Sequence, residues 1–261
     1  MKATVQFNKL KDFLDKKTDE YNNASFIASD PISIPHRFKK KQDIEISGFF
    51  ASIFAWGNRT TIINKSKLLM QLMDDGPYAF IMNHNEKDLK RFFGYKHRTF
   101  NVTDLLYFIH FLKFHYSHNP SLESAFSKWM DANDDTIENA LIGFHHYFFN
   151  LPDAPPRTRK HIATPERGST CKRLNMFLRW MVRKDDAGVD FGIWKNIKPH
   201  QLVCPIDIHV SSVAKKFDLI KRNSIDWLTA LELTSNLKKM DASDPVKYDF
   251  VLFGLGVAEH Y

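Results

Sequence analysis

Cysteine is scarce: two in 261 residues, Cys171 and Cys204. Two thiols exclude a disulfide scaffold and a four-cysteine iron–sulfur cluster. Glycine is scarce as well, at 10 residues, while phenylalanine reaches 23. That ratio favours packed helices over a sheet joined by tight turns. No apolar run approaches the ~20 residues of a bilayer span, so no membrane partner is expected. The opening MKATVQFNKLKDFLDKK is charged and amphipathic, with no apolar signal region. A reduced, cytoplasmic setting is therefore expected. Acidic side chains are outnumbered, 30 against 37 Lys and Arg, for a net charge of +7. A basic excess favours polyanionic partners, nucleic acid above all, because phosphates release counterions on binding. The remaining composition, 43% hydrophobic and 26% charged, is ordinary globular usage and excludes a disordered chain or a fibre.

Apolar residues recur at three-to-four spacing along most of the chain, the period of a helix with one buried face. Phe7, Leu10, Phe13 and Leu14 mark a first amphipathic helix. QDIEISGFFASIFAWGNRTTIINKSKLLMQLM reads as a core helix that Gly57 and Asn58 interrupt. NVTDLLYFIHFLKFHY is a helix with Asn101 or Thr103 as its N-cap. Ser121 with Glu123 opens another, and DDTIENALIGFHHYFF another. Residues 151–170, LPDAPPRTRKHIATPERGST, hold four prolines and a basic run. They are expected to form an irregular, exposed linker. KRLNMFLRWMVR is strongly amphipathic, and a loop, KDDAGVDFGIWKNIKPHQLV, follows it. Three further helices start near Asp207, Ser224 and Asp244. No segment alternates well enough for a strand. The expectation is an all-α fold of roughly ten helices.

Two segments carry chemistry. In GSTCKRLN, 168–175, a short glycine-containing turn runs into a helix whose first turn holds Lys172. Unpaired backbone N–H groups at a helix start can grip a DNA phosphate. Lys172, beside Arg173, could serve as an amine nucleophile if partly desolvated, or it could be a solvated surface charge. In CPIDIHV, 204–210, Asp207 directly precedes an apolar-periodic helix. It could be an N-cap worth about 1 kcal/mol, or a carboxylate facing a cation-like transition state. One oxygen can do each.

Together these segments resemble the helix-hairpin-helix (HhH-GPD) DNA glycosylases and lyases, the superfamily of endonuclease III and of the bacterial and archaeal oxidised-guanine glycosylases. Those enzymes carry a hairpin G-x-G-x-K-x-A-N followed by a V-D-T-H-V-type segment that opens the next helix. Here the two read GSTCKRLN and PIDIHVSSVAKKF. FGYKHRTF, 93–100, is similar to a G-Y-R-A-R-Y-like segment of the oxidised-guanine enzymes, in the right order upstream. The whole chain also resembles a conserved bacterial family with the combination LNMFLRWMVRKD, VDFGIW, CPIDIHV and DPVKYDFVLFGLG. The superfamily resemblance spans about residues 40–256, and departs in three places. Thr170 stands for the second hairpin glycine, Lys172 and Asp207 lie 35 residues apart, and no cysteines follow FVLFGLG.

The resemblance implies a two-lobed helical fold with a cleft between the lobes. A central lobe would take 41–170, ending in the hairpin linker, and a second lobe 1–40 plus 171–261. It implies a base-excision repair glycosylase with abasic-site lyase activity, oxidised guanine being the expected lesion. Lys172 would be the nucleophile and Asp207 its assisting acid. The partner is then double-stranded DNA with a damaged base, bound by a monomer in the cytoplasm at the nucleoid. The base pocket candidates are Trp56, Phe93, Tyr95, Trp180, Asp190 and Trp194, with Phe191 nearby. DNA contacts are assigned to Asn58, Arg59, Arg98, Arg159, Lys160, Arg167, Gly168, Thr170, Arg173 and His209, and further phosphate contacts to Arg157 and Arg179. No cofactor is implied beyond a monovalent cation that relatives hold at the hairpin.

Two other readings stand beside it. One is a nucleic-acid-binding protein of the same fold without the chemistry. The other is a metal-dependent nuclease using His115 and His118 or His145 and His146. Their spacing matches no H-E-x-x-H pattern, so no metal site is assigned.

Overall fold

Short polar side chains set where the helices begin. Asn58, Asn101, Asp207 and Asp226 each accept hydrogen bonds from backbone N–H groups two or three residues on, filling donors that a helix start leaves unpaired. The computed structural model describes residues 2–257, with side chains from Val5. Met1 and residues 258–261, the outer ends of the expected second lobe, lie outside the described residues. Twelve α-helices occur among them: α1 (Lys2–Tyr21), α2 (Ala24–Ala28), α3 (Lys41–Phe54), α4 (Arg59–Leu72), α5 (Pro77–Asn83), α6 (Val102–His118), α7 (Glu123–Ser127), α8 (Glu138–Phe148), α9 (Lys172–Val182), α10 (Ile208–Lys216), α11 (Trp227–Lys238) and α12 (Asp249–Val257). The protein is largely helical. One strand pair departs from the expectation of none: β1 (Lys96–His97) and β2 (Phe100–Asn101) form a tiny antiparallel hairpin. Two residues per strand are too few to leave an alternating pattern in the sequence.

The chain falls into two compact units. One comprises Met1–Phe26, Ala132–Glu138 and Thr164–Tyr261; the other comprises Ile27–Asp131 and Asn139–Ala163.

The second of these is built on phenylalanine. α3 is buried from Ile44 to Phe54 and ends where Gly57 takes a φ of +101°, so the expected break is real. Phe49 stacks on Phe108 at 5.6 Å, Phe108 meets Phe148 at 4.8 Å, and Phe126 stacks on Phe144 at 3.9 Å. Each such ring, fully buried, stabilises by about 1.5–3 kcal/mol over an exposed one. The proline-rich stretch departs from the irregular, exposed linker expected. Residues Pro156–His161 form a 3-10 turn in which Thr158 and His161 are buried. Its anchor is Asp104, fully buried in the first turn of α6. One carboxylate oxygen accepts from Thr158 Oγ1 at 2.8 Å; the other accepts from Asn101 N at 3.0 Å and lies 3.3 Å from His161 Nε2. Burial opposes ionisation of Asp104, but His161 and the N–H of Asn101 outweigh it and hold the carboxyl below its usual range.

The other unit gathers α1 and α9 to α12. α12 packs along α10 and α1. The expected loop after α9 runs back along that helix: Phe191 N donates to Trp180 O at 2.8 Å and Trp194 N to Met181 O at 2.9 Å. Residues 132–138 cross this unit as a strap, with Ile137 N bonded to Gln201 O at 3.0 Å and Lys238 Nζ to Asp135 O at 2.8 Å. Among the described residues no helix is long and apolar enough to cross a membrane.

Candidate active site

The hairpin begins with a 3-10 turn, Pro165–Arg167, rather than a full preceding helix. Gly168 follows at φ +70°, a left-handed position that suits glycine. Its carbonyl accepts from Trp227 N at 3.1 Å, so the start of α11 is tied to the hairpin. Thr170, in place of a glycine, keeps its backbone engaged: its carbonyl accepts from Asn175 Nδ2 at 3.0 Å. The left-handed residue has moved to Cys171, at φ +51°, whose N–H bonds Ser169 Oγ at 3.2 Å. Cys171 is buried, and burial pushes its thiol up to about 12, so it stays protonated. Arg167 and Gly168 are exposed, and Arg173 is half-buried.

α9 opens with Lys172, and α10 opens beside it. Lys172 Nζ lies 3.2 Å from Asp207 Oδ2, and both side chains are 25% exposed. The other oxygen of Asp207 caps α10, accepting from His209 N at 2.9 Å and Val210 N at 3.0 Å. Burial works against ionisation of Asp207, but the Lys172 charge and these N–H groups more than offset it and keep the carboxyl below its usual range. Asp207 is thus a standing anion beside an amine, with oxygens divided between cap and partner. Ile208 and His209, the next two residues, are exposed.

Behind the pair stands α12. The Phe253 ring centroid is 5.9 Å from Lys172 Nζ, and Gly256 packs on the carbonyl of His209 so closely that an added Cβ would sit 3.1 Å away. Asp249 is buried at the first turn of α12 and pairs with Arg179. Neither Phe253 nor Asp249 was picked out in the sequence, where an Asp at the head of an apolar run reads only as a helix start.

The remaining candidates divide between the two units. Trp180 and Trp194 are 0% and 1% exposed, and Trp194 sits edge-on to Phe177 at 5.3 Å, so both are core side chains. Asp190 is buried between Arg179 and Arg183, at 3.3 and 3.1 Å, and Arg179 is equally enclosed. This aspartate holds two guanidinium groups rather than lining an open pocket. In the phenylalanine-rich unit, Tyr95 is buried with its hydroxyl donated to Lys65 O at 3.0 Å. Trp56 is half-buried under the Arg98 guanidinium, 4.4 Å from its ring centroid. Asn58 caps α4, accepting from Thr61 N at 3.0 Å, and Arg59 begins that helix half-buried. Phe93 is 68% exposed and borders a groove of about 410 Å³ with Thr103, Leu106, His110 and Asp153. Arg157, Arg159 and Lys160 are exposed; Arg159 lies over Phe149 at 5.0 Å, and Arg157 donates to Thr99 O at 2.8 Å.

The histidines considered for a metal are differently employed where the bonds are seen. His115 Nε2 is 2.9 Å from Ser121 O and its Nδ1 3.1 Å from Tyr147 Oη. Burial pulls it down to about 4, which keeps it neutral. His118 Nδ1 is 2.8 Å from Phe114 O.

What converges, then, is one amine, one ionised carboxylate and an apolar wall at two adjoining helix starts, a set able to form and stabilise an iminium. No curated protein and no solved structure matches this chain. A model of a family described as a protein of unknown function, DUF2400, matches residues 30–258, and the chain belongs to that family.

Proposed function

We propose that the protein is a DNA glycosylase with abasic-site lyase activity, with the two-lobed helix-hairpin-helix fold and with Lys172 as nucleophile. The observation that carries this reading is the 3.2 Å approach of Lys172 Nζ to Asp207 Oδ2. A base inside a duplex is out of reach, so the damaged nucleotide, oxidised guanine above all, must flip out of the stack. Lys172 gives up a proton to solvent, and the lone pair so freed forms a bond to the sugar C1′. The bond from C1′ to the base breaks, and the base leaves with the electron pair and takes up a proton. The nitrogen then passes a second proton to O4′, its lone pair expels O4′ as a hydroxyl, and a C1′=N iminium remains. Loss of a C2′ proton releases the 3′ phosphate and cuts the strand. Asp207 faces positive charge at each stage, where a fixed anion in a partly dry site is most effective. Exposed Arg167, Gly168 and His209 flank the pair as phosphate contacts. The site needs no cofactor for these steps, and a cytoplasmic monomer acting on the nucleoid suits them.

The test is borohydride trapping on duplexes with oxidised guanine, uracil or an abasic site. Wild type should give a covalent adduct that Lys172→Ala loses and a surface variant, Lys239→Ala, retains. No adduct on any duplex, where a control lyase traps, refutes the reading. A second reading, a nucleic-acid binder without the chemistry, draws on the net charge of +7 and the Arg98–Trp56 stack. It requires salt-sensitive DNA binding that survives both Lys172→Ala and Asp207→Asn.

A further inference from the structure

One face of α6 lines the groove that Phe93 borders: Thr103, Leu106, Tyr107 and His110 recur there at helical spacing. Pro152, Asp153 and Pro155, past the end of α8, complete the lining. Asp153 takes a φ of +63°, and the prolines on either side hold its short loop. Phe93 leaves 68% of its surface in water. The Tyr107 ring lies parallel to that of Phe149 at 6.1 Å, and the Arg159 guanidinium sits 5.0 Å from the Phe149 centroid. Arg157 is held by the Thr99 carbonyl and by Asp104, the neighbour of Thr103. Groove and cations all belong to the phenylalanine-rich unit. We infer that this groove binds one unpaired nucleotide of single-stranded DNA, with guanine preferred. The inference goes beyond the lyase reading and does not rest on it.

The placement of charge selects the occupant. Asp153 and His110 line the groove, while Arg157, Arg159 and Lys160 are exposed on the 3-10 turn that follows Pro155. An acidic peptide would suit the arginines but bring like charge to Asp153. An apolar segment would cover Asp153, Thr103 and His110 without pairing them. A nucleotide has both characters, an anionic phosphate for the guanidinium groups and a neutral base for the groove. The flat face of the base stacks on the Phe93 ring, and N–H groups on its edge donate to Asp153. The groove, at about 410 Å³, has room for it.

A carboxylate also discriminates among bases. Guanine presents N1–H and its N2 amino group side by side, so both oxygens of Asp153 accept. Adenine and cytosine present one amino group beside a ring nitrogen that repels a carboxylate, and thymine one N–H between two carbonyls. Stacking on Phe93 is indifferent to base identity. Affinity therefore comes from the ring and the arginines, and preference from Asp153.

Fluorescence anisotropy with an oligothymidine of about 10 nucleotides, and with the same strand carrying one central guanine, tests this. Wild type should bind both at low salt, the guanine strand about tenfold more tightly. Phe93→Ala should weaken both about tenfold, and Phe93→Trp should restore them. Asp153→Asn should lose the guanine preference and keep oligothymidine binding within about twofold of wild type. Arg159→Ala should weaken both and lower the salt slope by about one. Phe114→Ala, at another exposed ring of the same unit, should change neither. No binding by wild type, undiminished binding by Phe93→Ala, or a guanine preference that survives Asp153→Asn overturns the inference. So does equally tight binding of oligoglutamate that Phe93→Ala loses, which would make the groove a peptide site. Should Phe93→Ala fail to fold by circular dichroism, the guanine preference in Asp153→Asn decides. Failure of borohydride trapping sinks the lyase reading and leaves this inference standing.

Discussion

Lys172 and Asp207, 35 residues apart in sequence, meet at 3.2 Å because each stands at the first turn of its own helix. The carboxylate serves both helices: Oδ1 caps α10 and Oδ2 holds the amine at the head of α9.

That division separates structure from chemistry. Asparagine caps helices about as well as aspartate but carries no charge. Asp207→Asn should therefore keep stability within about 1 kcal/mol of wild type and lose borohydride trapping by 100-fold or more. Asp207→Ala should lose the cap as well, costing about 1 kcal/mol more. Urea unfolding beside trapping measures both. Equal stability of the two variants would show that Asp207 is no cap in solution.

The stability of the phenylalanine-rich unit should fall in acid because of His115. Burial pulls it to about 4 in the fold, whereas an unfolded histidine titrates near 6.5. Between those values the unfolded chain binds a proton that the fold does not. The stabilisation is complete above pH ~6.5 and is lost as pH falls toward 4, by roughly 2–3 kcal/mol. Urea unfolding at pH 7 and pH 4.5 should show the loss, and His115→Gln should flatten it.

Asp249 should act with the opposite sign. Its carboxyl is raised by burial to about 6 against ~4 when unfolded, so the fold retains a proton that the unfolded chain releases. Its contribution is greatest below pH ~4 and declines as pH rises through 6, by about 2–3 kcal/mol. Asp249→Asn should remove that decline. Parallel pH–stability curves for wild type and variant would contradict the raised value.

Gly57 is a further point of test. At φ +101° an alanine is strained, by about 1–3 kcal/mol. Its Cβ would also lie 2.4 Å from the Arg98 guanidinium, pushing Arg98 from its place over Trp56. Gly57→Ala should lower the melting temperature and weaken DNA binding together. Arg98→Ala should weaken binding with little change in melting temperature. Binding by both variants at wild-type strength would remove this stack from the DNA surface.

Much of the helical layout was legible locally. The α3–α4 break at Gly57 and the caps at Asn101 and Asp207 depend on contacts within four residues, and the periodicity recorded them. The strand pair, α5 and the 3-10 turn at Pro156–His161 escaped notice. The first two are too short for a period, and the turn is held by Asp104, which lies 54 residues from Thr158. Trp180, Trp194 and Asp190 carried the signs of a functional pocket because aromatic and acidic side chains serve cores and sites alike. Only packing tells a ring against Phe177, or an aspartate between Arg179 and Arg183, from one facing a ligand.

Helix starts, helical class and basic charge follow from residue order, because backbone hydrogen bonding and side-chain periodicity act over a few residues, whereas the pairing of a hairpin lysine with a capping aspartate is what the glycosylase resemblance implies. The 3.2 Å geometry, the buried Arg179–Asp249 bridge and the wall formed by Phe253 and Gly256 were decided by the tertiary fold. Distances between residues tens of positions apart depend on how whole helices pack, and no local pattern encodes them.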